Sequence, residues 1–155
     1  MIILGLDPGI ARTGYGIINT DAPFQFVTCG CITTLPIYPL EQRLDIIAQD
    51  VTNLIDTYNP DIGVVEEIFF GRNTTTAMKT AHVRGVLLQI LHARHITVQE
   101  LTPLQIKSRL TGYGAATKTQ IQNMIKQQLR LTSIPQPDDA ADALAAALCA
   151  EKITL

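Results

Sequence analysis

The chain is 155 residues long, the size of one compact domain. With 46% hydrophobic and 17% charged residues it is not intrinsically disordered. Its formal net charge of −2 at pH 7, taken as a total, argues against a nucleic-acid binder, for which a basic balance is expected.

Cys29, Cys31 and Cys149 are too few for a disulfide framework and read as small, reduced core residues. The first six residues lack the basic region of a signal peptide. No apolar run approaches the roughly 20 residues that span a membrane, so a soluble, cytoplasmic protein is expected.

Residues 2–7 form a short apolar run, expected as a buried strand that Pro8 and Gly9 break. Residues 14–20 and 24–33 are β-rich and separated by Asp21-Ala22-Pro23, which completes a three-stranded antiparallel meander. Leu40, Leu44, Ile47, Val51, Leu54, Ile55 and Tyr58 recur at helical spacing and predict a helix over 40–58. Asn59-Pro60-Asp61 stops it. Residues 62–66 read as a buried strand and 67–73 as a loop. A helix over 74–94 follows, with Val83, Val86, Leu87, Leu88, Ile90 and Leu91 pointing several ways. Such a helix wants two packing partners, the sheet and a second subunit. Residues 96–101 form another strand. Thr102-Pro103-Leu104-Gln105 and Thr117-Lys118-Thr119-Gln120 are capping boxes opening two helices, the second running to about residue 131. An alanine-rich helix after Pro135 and Pro137 closes the chain. A meander followed by strand–helix alternation implies an α/β domain with a mixed five-stranded sheet flanked by helices. Sites in such sheets form where loops leave strand ends.

Four acids stand out. Asp7 ends the first strand, and Glu66 ends the strand Ile62-Gly63-Val64-Val65. A carboxylate closing an apolar strand needs a partner. Asp139 and Asp142 share one face of the final helix with Ala143 and Ala146, where the helix can approach the sheet closely; Leu144 and Leu148 are placed on the other side. Converging carboxylates repel unless protonated or bridged by cations. Hard oxygen ligands without Cys or His favour magnesium or manganese. Two such ions about 3.5–4 Å apart can bridge a scissile phosphate.

The basic residues are segregated. Residues 72–130 hold Arg72, Lys79, Arg84, Arg94, Lys107, Arg109, Lys118, Lys126 and Arg130 against one acid, Glu100. The near-neutral total is therefore a sum of opposed blocks, and the middle block is available for phosphates. Lys118 in a helix's first turn opposes the dipole and, with the helix terminus and the Gly112-Tyr113-Gly114 loop, suggests a phosphate site. Phe69 and Phe70, beside Gly71 and Arg72, are candidates to stack on or wedge between bases. Ile68 with Phe70 could equally plug the core beneath the loop.

These motifs together resemble the RuvC family of bacterial Holliday-junction resolvases. The matching residues are Leu6-Asp7-Pro8-Gly9 with Thr13-Gly14-Tyr15-Gly16, and Glu66 with Ile68-Phe69 and Asn73. Ala81 to Gly85 with Val86, Lys107 with Gly112-Tyr113-Gly114 and Lys118, and Asp139-Ala140-Ala141-Asp142-Ala143-Leu144-Ala145 complete the set. The resemblance implies an RNase H-like fold, a homodimer, and Mg²⁺-dependent cleavage of four-way DNA junctions alongside a RuvA–RuvB branch-migration complex. It implies Asp7, Glu66, Asp139 and Asp142 as metal-binding catalytic carboxylates, with two ions per site. Lys107 and Lys118 match essential basic positions and Phe69 a base-contacting aromatic; Arg72, Lys79 and Arg84 join them as expected DNA contacts. An extra acid, Asp138, precedes the motif and is expected to cap the helix or support the site. Strand alternation turns Glu67 away from Glu66, so only one of them faces the site. Three other readings are a junction-binding module without catalysis, an actin- or sugar-kinase-type ATPase, and an RNase H-type ribonuclease. The chain is short for the two-domain ATPase architecture.

Overall fold

The computed structural model describes residues 1–21, 23–68 and 74–151. Strand β1 (Ile2–Asp7) lies at the centre of a five-stranded sheet of order β3-β2-β1-β4-β5. Strands β2 (Arg12–Asn19) and β3 (Gln25–Thr33) form the antiparallel meander with it. On the other side β4 (Ile62–Glu66) runs parallel to β1, and β5 (Thr97–Leu101) parallel to β4. The mixed sheet therefore has the composition its sequence predicts.

Strand alternation sorts the apolar residues into two cores. Ile3, Ile18, Ile62, Val64 and Leu101 face helices α3 (Pro103–Thr111), α4 (Lys118–Gln128) and α5 (Asp138–Leu148). Leu4, Leu6, Ile17, Ile32 and Val65 face α1 (Leu40–Tyr58) and α2 (Thr74–Ala93). Asp7 and Glu66 continue the alternation of Ile3 and Ile62, so both belong to the α5 face, at the same end of two neighbouring parallel strands.

Helix signals are realised at named atoms. The Gln105 amide donates to Thr102 Oγ1 at 3.2 Å and the Gln120 amide to Thr117 Oγ1 at 3.3 Å, closing both capping boxes. Helix α1 ends where Asn59 turns left-handed at φ 46°. Helix α4 ends at Gln128, short of the expected 131, with Leu129 as cap and Arg130 left-handed at φ 53°. Strand β2 starts at Arg12, two residues early. Helix α2 buries Val83, Leu87 and Leu91, half-buries Val86 and Leu88, and exposes Met78.

Two expectations are corrected, and one buried charge is new. Leu144 does not lie away from the sheet: it is fully buried against Gly16 of β2, because α5 is enclosed on nearly every side. Cys29 and Cys31 are half-buried rather than core residues, since β3 is an edge strand; all three cysteines are free, and Cys149 alone is buried, its thiol 3.4 Å from the Ile106 carbonyl. Arg43, a charged residue on the α1 stripe, is buried. Its Nε donates to Thr34 Oγ1 at 2.8 Å and its Nη2 to the Ile10 carbonyl at 3.1 Å. Among the described residues no helix is long and apolar enough to cross a membrane.

Candidate active site

Helix α5 lies on a seam of glycines. A β-carbon on Gly5 would collide with the Ala143 carbonyl and stand 2.8 Å from the Ala147 nitrogen; one on Gly16 would stand 2.7 Å from Leu144 Cγ. Main chain therefore meets main chain, and the alanines of α5 complete the fit. The seam sets the first turn of α5 over Gly14, the register partner of Asp7. Asp139 is thereby brought to Asp7, and Asp142, three residues on, falls on the same helix face.

The electrostatics record this gathering. Burial, then the charges of Glu66, Asp142 and Asp139, push Asp7 from 3.8 up to about 8, against a pull down from Lys118. Burial, then Asp142, raises Glu66 from 4.5 to about 7, with Lys107 opposing. Asp142 is also raised, chiefly by burial, with Lys118 opposing. Glu66, Asp142, Lys107 and Lys118 line a cleft of about 280 Å³, together with apolar residues of α3 and α4.

Cations edge the cluster. Lys118 Nζ is 3.0 Å from Asp138 Oδ2 and 3.9 Å from Asp142 Oδ2, and Arg12 Nη1 is 3.6 Å from Asp139 Oδ2. As they stand, no three Asp, Glu, His or Cys side chains among the described residues are grouped closely enough to hold one ion. Four mutually repelling acids, one of them leaning towards a lysine, account for that spread.

The structure thus unites Asp7, Glu66, Asp139, Asp142, Lys107 and Lys118. The acid that acts on Asp7 is Glu66, not Glu67, whose amide instead donates to the Leu101 carbonyl at 2.8 Å. Asp138 is not a cap. Pro137 holds the cap position without a side-chain bond, and Asp138, in the first turn, receives Lys118 and the Gln122 amide at 3.2 Å. Arg84 has its guanidinium paired with Glu100 on the sheet face opposite α5, apart from the carboxylate cleft. Lys79 is exposed on α2. Phe69 and Arg72, with Phe70 and Asn73, lie outside the described residues. Four of the eight described basic residues of the middle block are paired in space: Arg94 with Asp56 and Arg109 with Glu151, besides Arg84 and Lys118.

Sequence reasoning missed Arg12, Gln122 and the glycine seam. Gly14 and Gly16 alternate along β2 as Gly5 does on β1, which marks a stripe of missing side chains opposite an alanine-rich helix; that signal was available.

Acids ending two central parallel strands, faced by acids on a helix packed across them, place the molecule among RNase H-like nucleases. Within that class the chain belongs to the RuvC family: the model for crossover junction endodeoxyribonuclease RuvC matches residues 3–150. A crossover junction endodeoxyribonuclease RuvC from Natranaerobius thermophilus is 47% identical over 150 residues, covering 96% of this chain and 93% of the relative. The Thermus thermophilus RuvC structure superposes with a TM-score of 0.88 at 31% identity, covering 96% of this chain and 92% of that one. T. thermophilus RuvC in complex with a Holliday junction substrate superposes with a TM-score of 0.92 at 30% identity and the same coverage.

Proposed function

We propose that the chain cuts four-way DNA junctions by paired symmetric nicks, leaving 5′-phosphate and 3′-hydroxyl ends, with two Mg²⁺ ions per site held by Asp7, Glu66, Asp139 and Asp142. Mn²⁺ would substitute. The family is one of metal-dependent nucleases. The observation that carries the reading is that half-buried Asp7 ends β1 beside the parallel strand that Glu66 ends, with the Asp139 main chain packed on its register partner Gly14, so that burial and the charges of Glu66, Asp142 and Asp139 raise it to about 8. An all-oxygen set with that much unrelieved repulsion fits hard divalent cations. When bound, such ions favour in-line attack of water on the phosphate and stabilise the departing oxygen.

The chain's own residues do the rest. Asp7 and Glu66 are carried by two adjacent strands, and Asp139 and Asp142 by a helix seated on the sheet's main chain, so the backbone brings the four donors to one end of the sheet and a cation would draw their side chains together. Lys107 and Lys118, at the cleft, contact the substrate phosphate and the charge that develops on it. Lys79, Phe69 and Arg72 extend the DNA contact. Exposed Met78 and half-buried Val86 and Leu88 on α2 support a homodimer, whose two-fold axis would offer two sites to a nearly two-fold junction. A relative solved with a Holliday junction supports the substrate, and a RuvA–RuvB complex is the partner the family reading implies, in the cytoplasm.

Nicking of a synthetic four-way junction in Mg²⁺ tests the reading. Asp7→Asn should abolish cleavage while leaving junction binding in place. Cleavage unimpaired by Asp7→Asn overturns the assignment.

A further inference from the structure

Asp138 has no role in the donor set proposed above, yet both of its carboxylate oxygens are taken by α4. Lys118 Nζ lies 3.0 Å from Oδ2, and Gln122 Nε2 donates to Oδ1 at 3.2 Å. Lys118 and Gln122 are one turn apart and share a helix face. The same ammonium is 3.9 Å from Asp142 Oδ2, so Asp138 is the nearer of its two anionic partners. A lysine on a flexible four-carbon stem has many rotamers open to it. Alone, it would sample solvent; between Asp138 and Asp142 it is confined to the cleft wall.

We propose that Asp138 is a positioning residue for the reaction: it holds Lys118 at the mouth of the carboxylate cleft, while Gln122 fixes the orientation of Asp138 itself. This rests on the nuclease reading above. The competing account is that Asp138 merely clamps α4 to α5. The two differ in one measurable respect. A clamp still acts through Gln122 when Lys118 is gone, and its loss lowers stability, whereas a positioning residue has nothing to position once Lys118 is gone.

The experiment is a double-mutant cycle on single-turnover nicking of a synthetic four-way junction in saturating Mg²⁺. Asp138→Ala should slow cleavage about fivefold, the scale expected of a half-exposed ion pair, with junction affinity unchanged. Asp138→Glu should restore most of the rate. Asp138→Ala should add nothing to Lys118→Ala. Thermal denaturation of each variant checks that the fold persists. In metal-free, DNA-free protein the ¹⁵Nζ resonance of Lys118 should move in Asp138→Asn. Additive effects in the cycle, a rate unchanged or raised in Asp138→Ala, or an unmoved Lys118 resonance each overturn the proposal. A wild type that leaves the junction intact overturns the nuclease reading instead, an outcome distinct from a cleaving wild type with an additive cycle.

Discussion

A β-carbon on Gly14 would collide with the carbonyl oxygen of Asp139, so β2 and α5 meet there with no side chain between them. Gly14→Ala must push the first turn of α5 off the sheet, and Asp139 with it. Overpacking of this kind costs about 1–3 kcal/mol. At roughly 2–4 °C per kcal/mol for a chain of this size, thermal denaturation should show a drop of several degrees. Junction nicking, measured well below that midpoint, should fall further than the lost stability explains. Gly85→Ala is the matched control: its β-carbon meets nothing within 4 Å on α2, so stability should rise by about 0.5–1 kcal/mol.

The raised acids make metal-free stability depend on pH in a defined direction. Asp7 and Glu66 hold protons in the fold up to about 8 and about 7, but release them from the unfolded chain near 3.8 and 4.5. Between those limits the native state binds more protons, so stability falls as pH rises. Melting temperature in EDTA should therefore decline from pH 5 to pH 8.5, and Asp7→Asn should flatten the decline. Mg²⁺ should raise the melting temperature more at pH 8.5 than at pH 6, because the cation competes with those protons. A melting temperature in EDTA that rises over this range contradicts the burial of these acids.

Arg43 predicts a stability loss far from the cleft. Its guanidinium ties α1 to Thr34 and to the Ile10 carbonyl, in the segment that follows Asp7. Arg43→Met keeps much of the aliphatic packing and removes those bonds, so the loss should be about 1–3 kcal/mol, read as a lower urea midpoint at unchanged m-value. Arg43→Lys should restore only part, since an ammonium cannot reproduce the guanidinium fork.

These positions mark where the sequence was legible. The helix over 40–58, the start of α4 at its capping box and the pair of acids on α5 follow from spacing and capping chemistry, which are local. Asp7 and Glu66 could be paired because two strand ends closing on acids left each in need of a partner. Arg43 was illegible because its partners, Thr34 and Ile10, come from other elements, and a charged residue on an apolar stripe reads as an error in the pattern. Arg84 shows a related limit: counted along the chain it stands in a basic block, while in space it is paired with Glu100. For Asp138 position alone left two readings, a cap or a support for the site; the cap falls to Pro137, and Lys118 reaches Asp138 from a different helix.

Binding should show the same distinction between charge in sequence and charge in space. Each lost phosphate contact reduces the slope of log K against log salt by about one. Lys107→Ala and Lys118→Ala should each reduce the slope for junction binding by about that amount. Arg84→Ala should leave it unchanged. Fluorescence anisotropy across a salt series separates these outcomes, and an Arg84→Ala slope reduced like that of Lys107→Ala refutes the assignment of Arg84 to Glu100.

The arginine pairs set how DNA can be read. A guanidinium fork is the side chain best matched to the edge of guanine in the major groove. Here Arg12, Arg84, Arg94 and Arg109 are turned to Asp139, Glu100, Asp56 and Glu151, and Arg43 is buried. Arg130 lies at the far end of α4, beside Pro23 and Phe24. The cations left at the cleft are lysines, which attract phosphates as point charges and do not discriminate one base from another. Among the described residues, then, the cleft offers lysines that follow the path of a DNA backbone, and a sequence preference contributed by them would be expressed through how readily the DNA adopts that path.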